Sequence, residues 1–384
     1  MQMNRTAASR LAALAAPLLL AVPAFAQSVT LPPSGDNQKS SVSQWIGLVE
    51  VNVTYNSPDI TAPDGTTDRR GKIWGQLVPW GWGTESFGTC GTRCPWRAGA
   101  NENTVFRVSH DVQIEGQPLP AGDYGLHALP GENEWTLIFS KNSTSWGSFF
   151  YDEKEDALRV TVKPAKSEYH HWLTYEFTDR QPDKATVALK WEELQVPFTV
   201  SVPNLEQLYA ENLSRELRDS PGFDWQSWAA AADWAVTNEV SLPEAEIWAQ
   251  NAVSLPFIGQ PNFRTLTVLS RAQAANGKSA EAKATMDKAL NHPAATPTDL
   301  HMAARQLQTQ GKNDEALKIF ELNAKRHPGV WPTDVGLARA YAAAGKTKEA
   351  LKHARLALAK APDQGNRRNL EQIIQKLEKG EKIN

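Results

Sequence analysis

The segment WRAGANENT, residues 96–104, contains the polar side chains Arg97, Asn101 and Glu102, and His127 follows in YGLHALP. A guanidinium, a carboxylate and an imidazole in one cleft could perform general acid–base catalysis, and Arg97 with Asn101 could hold a ligand. The alternative is structural: Arg97 pairs with Glu102, and Asn101 stabilises a turn by bonding its own backbone. We favour the structural interpretation, because the sequence contains no Gly-x-Ser-x-Gly and no His-Glu-x-x-His motif.

Cys90 and Cys94 are the only cysteines among the 384 residues. In an oxidising compartment such a pair forms a disulfide, and Gly91 allows the tight turn that the bridge needs. Half of a metal site is the alternative, but neither a second cysteine pair nor a nearby histidine completes one. We therefore predict a disulfide that stiffens its loop, and we expect no metal and no cofactor.

Arg271, Arg305 and Arg339 are spaced 34 residues apart in the C-terminal half of the sequence. In the repeat described below these positions are expected to point towards a concave groove, with Arg264 and His301 on the same face. A row of guanidinium groups suits the carboxylates of an acidic peptide or the terminal carboxylate of a polypeptide. Solvated arginines that were duplicated with the repeat are the alternative, and the sequence leaves both interpretations open.

Four tryptophans, Trp80, Trp82, Trp96 and Trp146, lie near the WRAGANENT segment. Exposed tryptophans stack on sugar rings, so these residues raise the possibility of a glycan-binding platform. Tryptophans of an all-β domain are more often part of its core. We therefore regard glycan binding as the less favoured interpretation.

The arginine spacing belongs to an internal repeat of 34 residues. Its other markers are Gly277-Lys278, Gly311-Lys312, Gly345-Lys346, Ala282, Ala316 and Ala350. The pattern resembles tetratricopeptide repeats, in which each unit is a pair of antiparallel helices and the glycine ends the first helix. Residues 223–384 are therefore predicted to form a tetratricopeptide solenoid, with a degenerate first pair over 224–253 and a capping helix over 366–378.

Residues 41–203 show the period-two alternation of β-strands. Val49, Val51 and Val53 share one face, and similar runs follow, separated by turns that contain proline or glycine. About nine short strands without an amphipathic helix between them predict an antiparallel sandwich or an open barrel, of which we expect the sandwich. A helix over 204–222 is expected to connect this domain to the repeats.

The N-terminus has the features of a secretory signal peptide. An arginine-bearing segment precedes an apolar run over residues 11–25, and the run leads into Ala-Phe-Ala, a small-x-small cleavage pattern. A membrane anchor is the alternative, but the run is too short for a span and contains two prolines. We expect cleavage of residues 1–26 after Ala26, a linker over 27–40, and a mature protein in the periplasm or outside the cell, without a membrane span.

Blocks of the β-rich half resemble the bacterial family known as domain of unknown function 2911. In order over residues 40–202, they are SVSQWIGLVEVNVTYNSP, RGKIWGQLVPWG, WRAGANENT, LPAGDYGLHALPGENEWTLIFSK, WGSFFYDEKEDALRVTVKP and LTYEFTD. The resemblance implies no particular activity, because none is assigned to the family. In the family pattern the LVPYG block runs almost directly into WRTGANE, so residues 82–95, which hold both cysteines, form an insertion in this protein.

These features predict an all-β antiparallel sandwich followed by an all-α tetratricopeptide solenoid. We expect an exported protein that binds a protein or peptide partner in the cell envelope through its repeats, with the β-domain as a ligand-binding or scaffold module. The formal net charge of −3 gives no reason to expect nucleic acid as a partner. The alternative is an envelope hydrolase or a glycan-binding protein with a site around Arg97, Glu102 and His127, and we expect a non-enzyme in preference.

Overall fold

The structure is a computed structural model that describes residues 37–62 and 64–383. Within them, a sheet-rich domain is followed by ten α-helices, so the predicted two-domain fold class is confirmed. The predicted signal peptide, residues 1–26, and its cleavage site lie outside the described residues.

The β-domain has ten strands within the described residues. They are β1 (Gln38–Ile46), β2 (Val49–Ser57), β3 (Thr104–Val108), β4 (Val112–Ile114), β5 (Gln117–Leu119), β6 (Gly122–Leu129), β7 (Trp135–Ser140), β8 (Asp156–Val162), β9 (Ala165–Thr178) and β10 (Lys184–Ser201). One antiparallel sheet has the order β1-β2-β3-β6-β7-β8, and the other has the order β5-β4-β10-β9. Residues 38–40 of the predicted linker belong to β1, so the sheet begins earlier than expected.

The two sheets pack face to face, which makes the domain a sandwich. Alternate side chains along most of β2 are buried, as its valine spacing predicts. The ring of Phe198 on β10 packs against Phe106 on β3 and Phe139 on β7, with centroid distances of 5.8 and 5.9 Å. All three rings are buried. The core therefore lies between the sheets, where aromatic side chains supply much of the buried apolar area.

The helix α1 (Leu205–Glu216) joins the two domains by packing into both cores. Leu205 is buried with the sandwich core, whereas Ala210 is buried with the first repeat helices. The ring of Tyr209 lies 5.7 Å from the ring of Trp234. The predicted connecting segment is thus a packed element and not a flexible linker.

The repeat domain contains helix pairs in a tetratricopeptide-like arrangement. The pairs are α2 (Trp225–Thr237) with α3 (Leu242–Ser254), α4 (Phe263–Ala275) with α5 (Ser279–Asn291), α6 (Pro297–Thr309) with α7 (Asn313–Arg326), and α8 (Trp331–Ala343) with α9 (Thr347–Ala359), followed by α10 (Gln364–Glu378). Gly277, Gly311 and Gly345 follow α4, α6 and α8 with φ values of 78°, 76° and 71°, the left-handed conformation predicted for these positions. In the described part of the protein, no helix combines the length and the apolar character that a bilayer span requires.

Candidate functional site

The three regularly spaced arginines lie on the first helices of successive pairs, but their surroundings differ. Arg271 on α4 forms an ion pair with Asp233 on α2 and donates from Nη2 to the Thr237 hydroxyl at 3.1 Å. The charge of Arg271 is therefore engaged within the helix stack. Arg264, near the start of the same helix, is exposed.

His301, Arg305 and Arg339 lie close together on α6 and α8, and the two arginines form what we call the cationic cluster. Burial lowers the pKa of the Arg339 guanidinium, and the positive charge of Arg305 lowers it further. Burial also lowers the pKa of His301; a hydrogen bond to the Pro332 carbonyl opposes this, and the charges of Arg339 and Arg305 add to the lowering. The structure thus brings together three of the five predicted ligand-binding residues of the repeats, and their role in binding stays a prediction.

A groove of about 1130 Å³ opens between the pair α4–α5 and the pair α6–α7. Contacts between α5 and α6 are sparse, whereas α3 packs along α4 and α7 packs along α8. Arg271 and Arg305 lie in the walls of this inter-repeat groove, and Met302 is 61% exposed there. The principal apolar side chains of the walls are Phe263, Met286, Leu290, Met302, Leu307 and Ile319.

In the β-domain, the insertion over residues 82–95 folds onto the segment that contains Phe149. Cys90 and Cys94 are disulfide-bonded, with Cα atoms 5.1 Å apart, as predicted. The amide groups of Thr89 and Cys90 both donate to the Phe149 carbonyl oxygen, at 2.8 and 3.1 Å. The insertion therefore clamps the neighbouring segment as well as closing its own loop.

Arg97 is held by three contacts. Its Nη1 donates to the Asn101 carbonyl oxygen at 2.7 Å, and Asn101 itself adopts the left-handed conformation with φ 57°. Its guanidinium carbon lies 5.0 Å from the centroid of the Phe149 ring. Gly147, with φ 61°, leaves room for the guanidinium, because a Cβ atom at Gly147 would overlap with it.

A pocket of about 320 Å³, which we call the Arg97 pocket, opens beside this side chain. Part of one wall comes from the insertion, which supplies Gly83, Glu85 and Cys94. Other lining residues are Arg69, Leu77, Asn101, Ser148, Phe149, Trp96 and Trp191. The WRAGANENT segment and the insertion thus both contribute to this pocket.

His127 lies behind the pocket, against Ser148. The Nδ1 atom of His127 is 3.0 Å from Oγ of Ser148, and both side chains are buried. Burial, followed by the charge of Arg97, lowers the pKa of His127 to about 4, so the imidazole is neutral at pH 7. No sequence motif marks Ser148, which stands in WGSFF. Its position beside His127 emerges from the fold alone.

Glu102 does not join Arg97 and His127. Its Oε2 accepts a hydrogen bond from Asn56 Nδ2 at 2.7 Å, and its side chain is exposed. The predicted Arg97–Glu102 pair is wrong, because the Asn101 carbonyl is the acceptor for Arg97. The prediction that Asn101 bonds its own backbone is also wrong, because its Oδ1 accepts from Asn37 Nδ2 at 3.0 Å. The three catalytic candidates therefore do not converge in one cleft.

The four tryptophans considered as a sugar platform do not share one open face. Trp96 packs edge to face against other core tryptophans. The guanidinium of Arg93 covers the ring of Trp82 at 4.6 Å. Trp80 and Trp146 are exposed, at 40% and 54%. A platform made of all four rings is thus not formed.

Comparisons with known proteins find one family match in each half of the protein. Residues 37–200 match the family described as "Protein of unknown function (DUF2911)", and residues 331–359 match a tetratricopeptide repeat family. No curated protein matches the sequence.

Several solved structures are similar to part of the protein. A crystal structure of MamA is 15% identical over 39% of this chain and 85% of that chain, with a TM-score of 0.28. YrrB, described as a TPR protein with an unusual peptide-binding site, is 18% identical over 44% of this chain and 92% of that chain, with a TM-score of 0.28. A tetratricopeptide repeat protein from Parabacteroides merdae is 15% identical over 44% of this chain and 66% of that chain, with a TM-score of 0.29.

Proposed function

Because a DUF2911 domain precedes tetratricopeptide repeats in this protein, we propose that it is an exported protein that binds a protein or peptide partner through the inter-repeat groove. Tetratricopeptide arrays are protein-interaction architectures, since stacked helix pairs create extended binding surfaces. The observation that carries the proposal is the groove of about 1130 Å³ at the sparse contact between α5 and α6.

The groove fits a segment that combines apolar and acidic side chains. Its walls expose Met302 and contain further apolar residues from the four surrounding helices. Apolar area removed from water would supply most of the binding free energy. Within the walls, Arg271 is paired with Asp233 and Lys283 with Asp287. The remaining charged side chains still have an excess of positive charge, with Arg305, Lys312 and Lys318 against Asp299 and Glu315.

The cationic cluster adds to this charge preference. Arg305 reaches the groove and lies close enough to Arg339 to influence its pKa. A carboxylate of the partner placed at this end of the groove would relieve the repulsion between the two guanidinium groups. We therefore place the acidic residue of the partner beside Arg305 and its apolar residues beside Met302.

Export is supported by the N-terminal residues and by the cysteines. The arginine-bearing start, the apolar run and the Ala-Phe-Ala ending of residues 1–26 have the order of a signal peptide. A disulfide such as Cys90–Cys94 persists in oxidising compartments. Cell fractionation with N-terminal sequencing tests this part: a mature protein in the periplasm or medium should begin at Gln27, and an uncleaved cytoplasmic protein would contradict it.

Site-specific photo-crosslinking tests the groove. A photoreactive amino acid is placed at Met302 in the full-length protein, and cells that produce this variant are irradiated. The matched control carries the same amino acid at Ile247 on α3, which is 60% exposed, close to the 61% of Met302, and lies outside the groove. We expect a defined adduct from position 302 and none of the same mass from position 247.

Charge-reversal variants then distinguish a specific partner from nonspecific crosslinking. Arg305→Glu should reduce the yield of the adduct at position 302, because it reverses a charge in the groove wall. Arg368→Glu on α10, which is exposed and outside the groove, should leave the yield unchanged. Equal adducts from both photoreactive positions, or an adduct that Arg305→Glu leaves unchanged, would contradict the groove as the binding site.

A further inference from the structure

Arg97 is fixed in position with most of its hydrogen-bonding capacity unused. Its guanidinium lies against the Phe149 ring and Gly147 and donates to the Asn101 carbonyl oxygen. A guanidinium carries five N–H donors. Within residues 37–62 and 64–383, the bond to the Asn101 carbonyl oxygen is the one hydrogen bond that the Arg97 side chain makes. The group is therefore preorganised for a ligand that brings acceptor atoms.

The charges around the pocket favour an anion. Arg69 also lines it and forms no ion pair with any described residue, while Glu85 is the one carboxylate among its described lining residues. Burial lowers the pKa of the Arg97 guanidinium, and the charge of Glu85 opposes this. Because Arg97 is partly buried, its guanidinium is incompletely hydrated, and a bound anion would compensate for the missing water.

Much of the remaining wall is apolar and sets the size of the ligand. Leu77, Trp96 and Trp191 line a volume of about 320 Å³, at the small end of the range for ligand pockets. Ser148 also lines the pocket, with its hydroxyl held by His127. We propose that the Arg97 pocket binds a small organic acid, with the carboxylate on the Arg97 guanidinium and the apolar body against Leu77 and Trp96.

A carboxylate suits this pocket better than a phosphate. The planar guanidinium matches the two oxygens of a carboxylate in a bidentate pair. The guanidinium can pair with phosphate as well, but inorganic phosphate has no apolar body to cover Leu77 and Trp96 and would have to lose its hydration beside them. The proposal concerns the β-domain and stands independently of partner binding by the repeats.

Isothermal titration calorimetry with the full-length protein tests the proposal. The probes are acetate, hexanoate, benzoate and phenylalanine, with benzamide as the neutral analogue of benzoate and inorganic phosphate as the competing anion. The variants are Arg97→Met and Arg69→Met, and Arg107→Met is the control because Arg107 is exposed on β3 and outside the pocket. Circular dichroism establishes that each variant is folded.

We expect at least one carboxylate to bind saturably and benzamide not to bind. Arg97→Met should weaken the binding about tenfold or more, the loss typical of a charged hydrogen-bonded contact. Arg69→Met should weaken it less, and Arg107→Met should have no effect. The proposal is overturned if no carboxylate binds at concentrations up to about 10 mM, or if benzamide binds as well as benzoate. It is also overturned if phosphate binds more tightly than every carboxylate, or if both pocket variants bind carboxylates as tightly as the wild type does. If Arg97→Met does not fold, the proposal is still tested by the comparison of benzamide with benzoate and by the affinity of Arg69→Met.

Discussion

The Nδ1 atom of His127 lies 3.0 Å from the hydroxyl oxygen of Ser148, and both side chains are buried behind Arg97. With its pKa lowered to about 4, His127 takes up a proton more readily in the unfolded protein than in the folded one. Stability from this residue is therefore fully present above about pH 6.5 and is lost as the pH falls towards 4. We expect a loss of about 2 to 3 kcal/mol in the free energy of unfolding between pH 7.5 and 4.5, measured by urea denaturation.

The variant His127→Gln isolates this contribution, because glutamine is polar and does not titrate. Its unfolding free energy should be lower than that of the wild type at pH 7.5, since the packing around the ring is altered. The drop between pH 7.5 and 4.5 should nevertheless be smaller by about 2 kcal/mol. The same pH dependence in the variant and the wild type would show that other groups cause it.

The Cys90–Cys94 bridge is expected to stabilise the wall of the Arg97 pocket more than the whole domain. Closing so short a loop contributes about 2 kcal/mol if the effect is entropic. The amides of Thr89 and Cys90, which donate to the Phe149 carbonyl oxygen, lie where the bridged loop begins. We expect the variant with both cysteines changed to serine to be cut by protease within residues 82–95 faster than the wild type.

Reduction provides the control for this prediction. Dithiothreitol should sensitise the wild type to the same cleavage and leave the double serine variant unchanged. Cleavage within residues 82–95 that is equally fast with and without the bridge would mean that the hydrogen bonds to Phe149 alone hold the loop.

The repeat domain was largely predictable from the sequence because its signals are local and recur. Glycines such as Gly277 and Gly311 mark the ends of first helices, and their left-handed φ values match that expectation. The sandwich followed from alternation, as in β2, where buried valines face the core. Each signal depends on the conformation of a few neighbouring residues, and a single sequence records such preferences well.

The site was predicted less well because its contacts join segments that are distant in sequence. Arg97 and Glu102 have opposite charges and stand close in sequence. Nevertheless, Arg97 donates to the Asn101 carbonyl oxygen, and Glu102 accepts a hydrogen bond from Asn56. Ser148 reaches His127 only through the packing of separate segments. The sparse contact between α5 and α6 is equally hidden, since the spacing of 34 residues continues unbroken across it. Charge and spacing alone do not settle which partner a side chain meets.

Gly147 is expected to be required for the position of Arg97. It has φ 61°, and a Cβ atom there would overlap with the Arg97 guanidinium. Gly147→Ala should therefore combine backbone strain of about 1 kcal/mol with displacement of Arg97. Gly91→Ala is the matched control, because Gly91 has φ 59° and a Cβ atom there would have nothing within 4 Å.

Thermal unfolding of the two glycine variants separates strain from collision. Both should lower the midpoint, and Gly147→Ala should lower it more, because it alone forces the guanidinium to move. Nuclear magnetic resonance of the arginine side chains should show a shifted Arg97 signal in Gly147→Ala and an unshifted one in Gly91→Ala. Equal midpoints with an unshifted Arg97 would contradict the close contact.

Gly336, within α8, is expected to be a point of close helix approach. A Cβ atom there would overlap with the Phe320 ring of α7 and lie 3.2 Å from His301 Nδ1 on α6. In an exposed helix, alanine is more favourable than glycine by about 1 kcal/mol. Here the collision should reverse that preference, so Gly336→Ala should destabilise the repeat domain by about 1 to 3 kcal/mol in denaturant unfolding followed by circular dichroism. Gly365→Ala in α10 is the control: its one close neighbour is Oδ1 of the exposed Asp363 side chain at 3.2 Å, which can shift more easily than the buried Phe320 ring. This variant should therefore change the stability less than Gly336→Ala does. A Gly336→Ala variant as stable as Gly365→Ala would contradict the packing of α8 against α7.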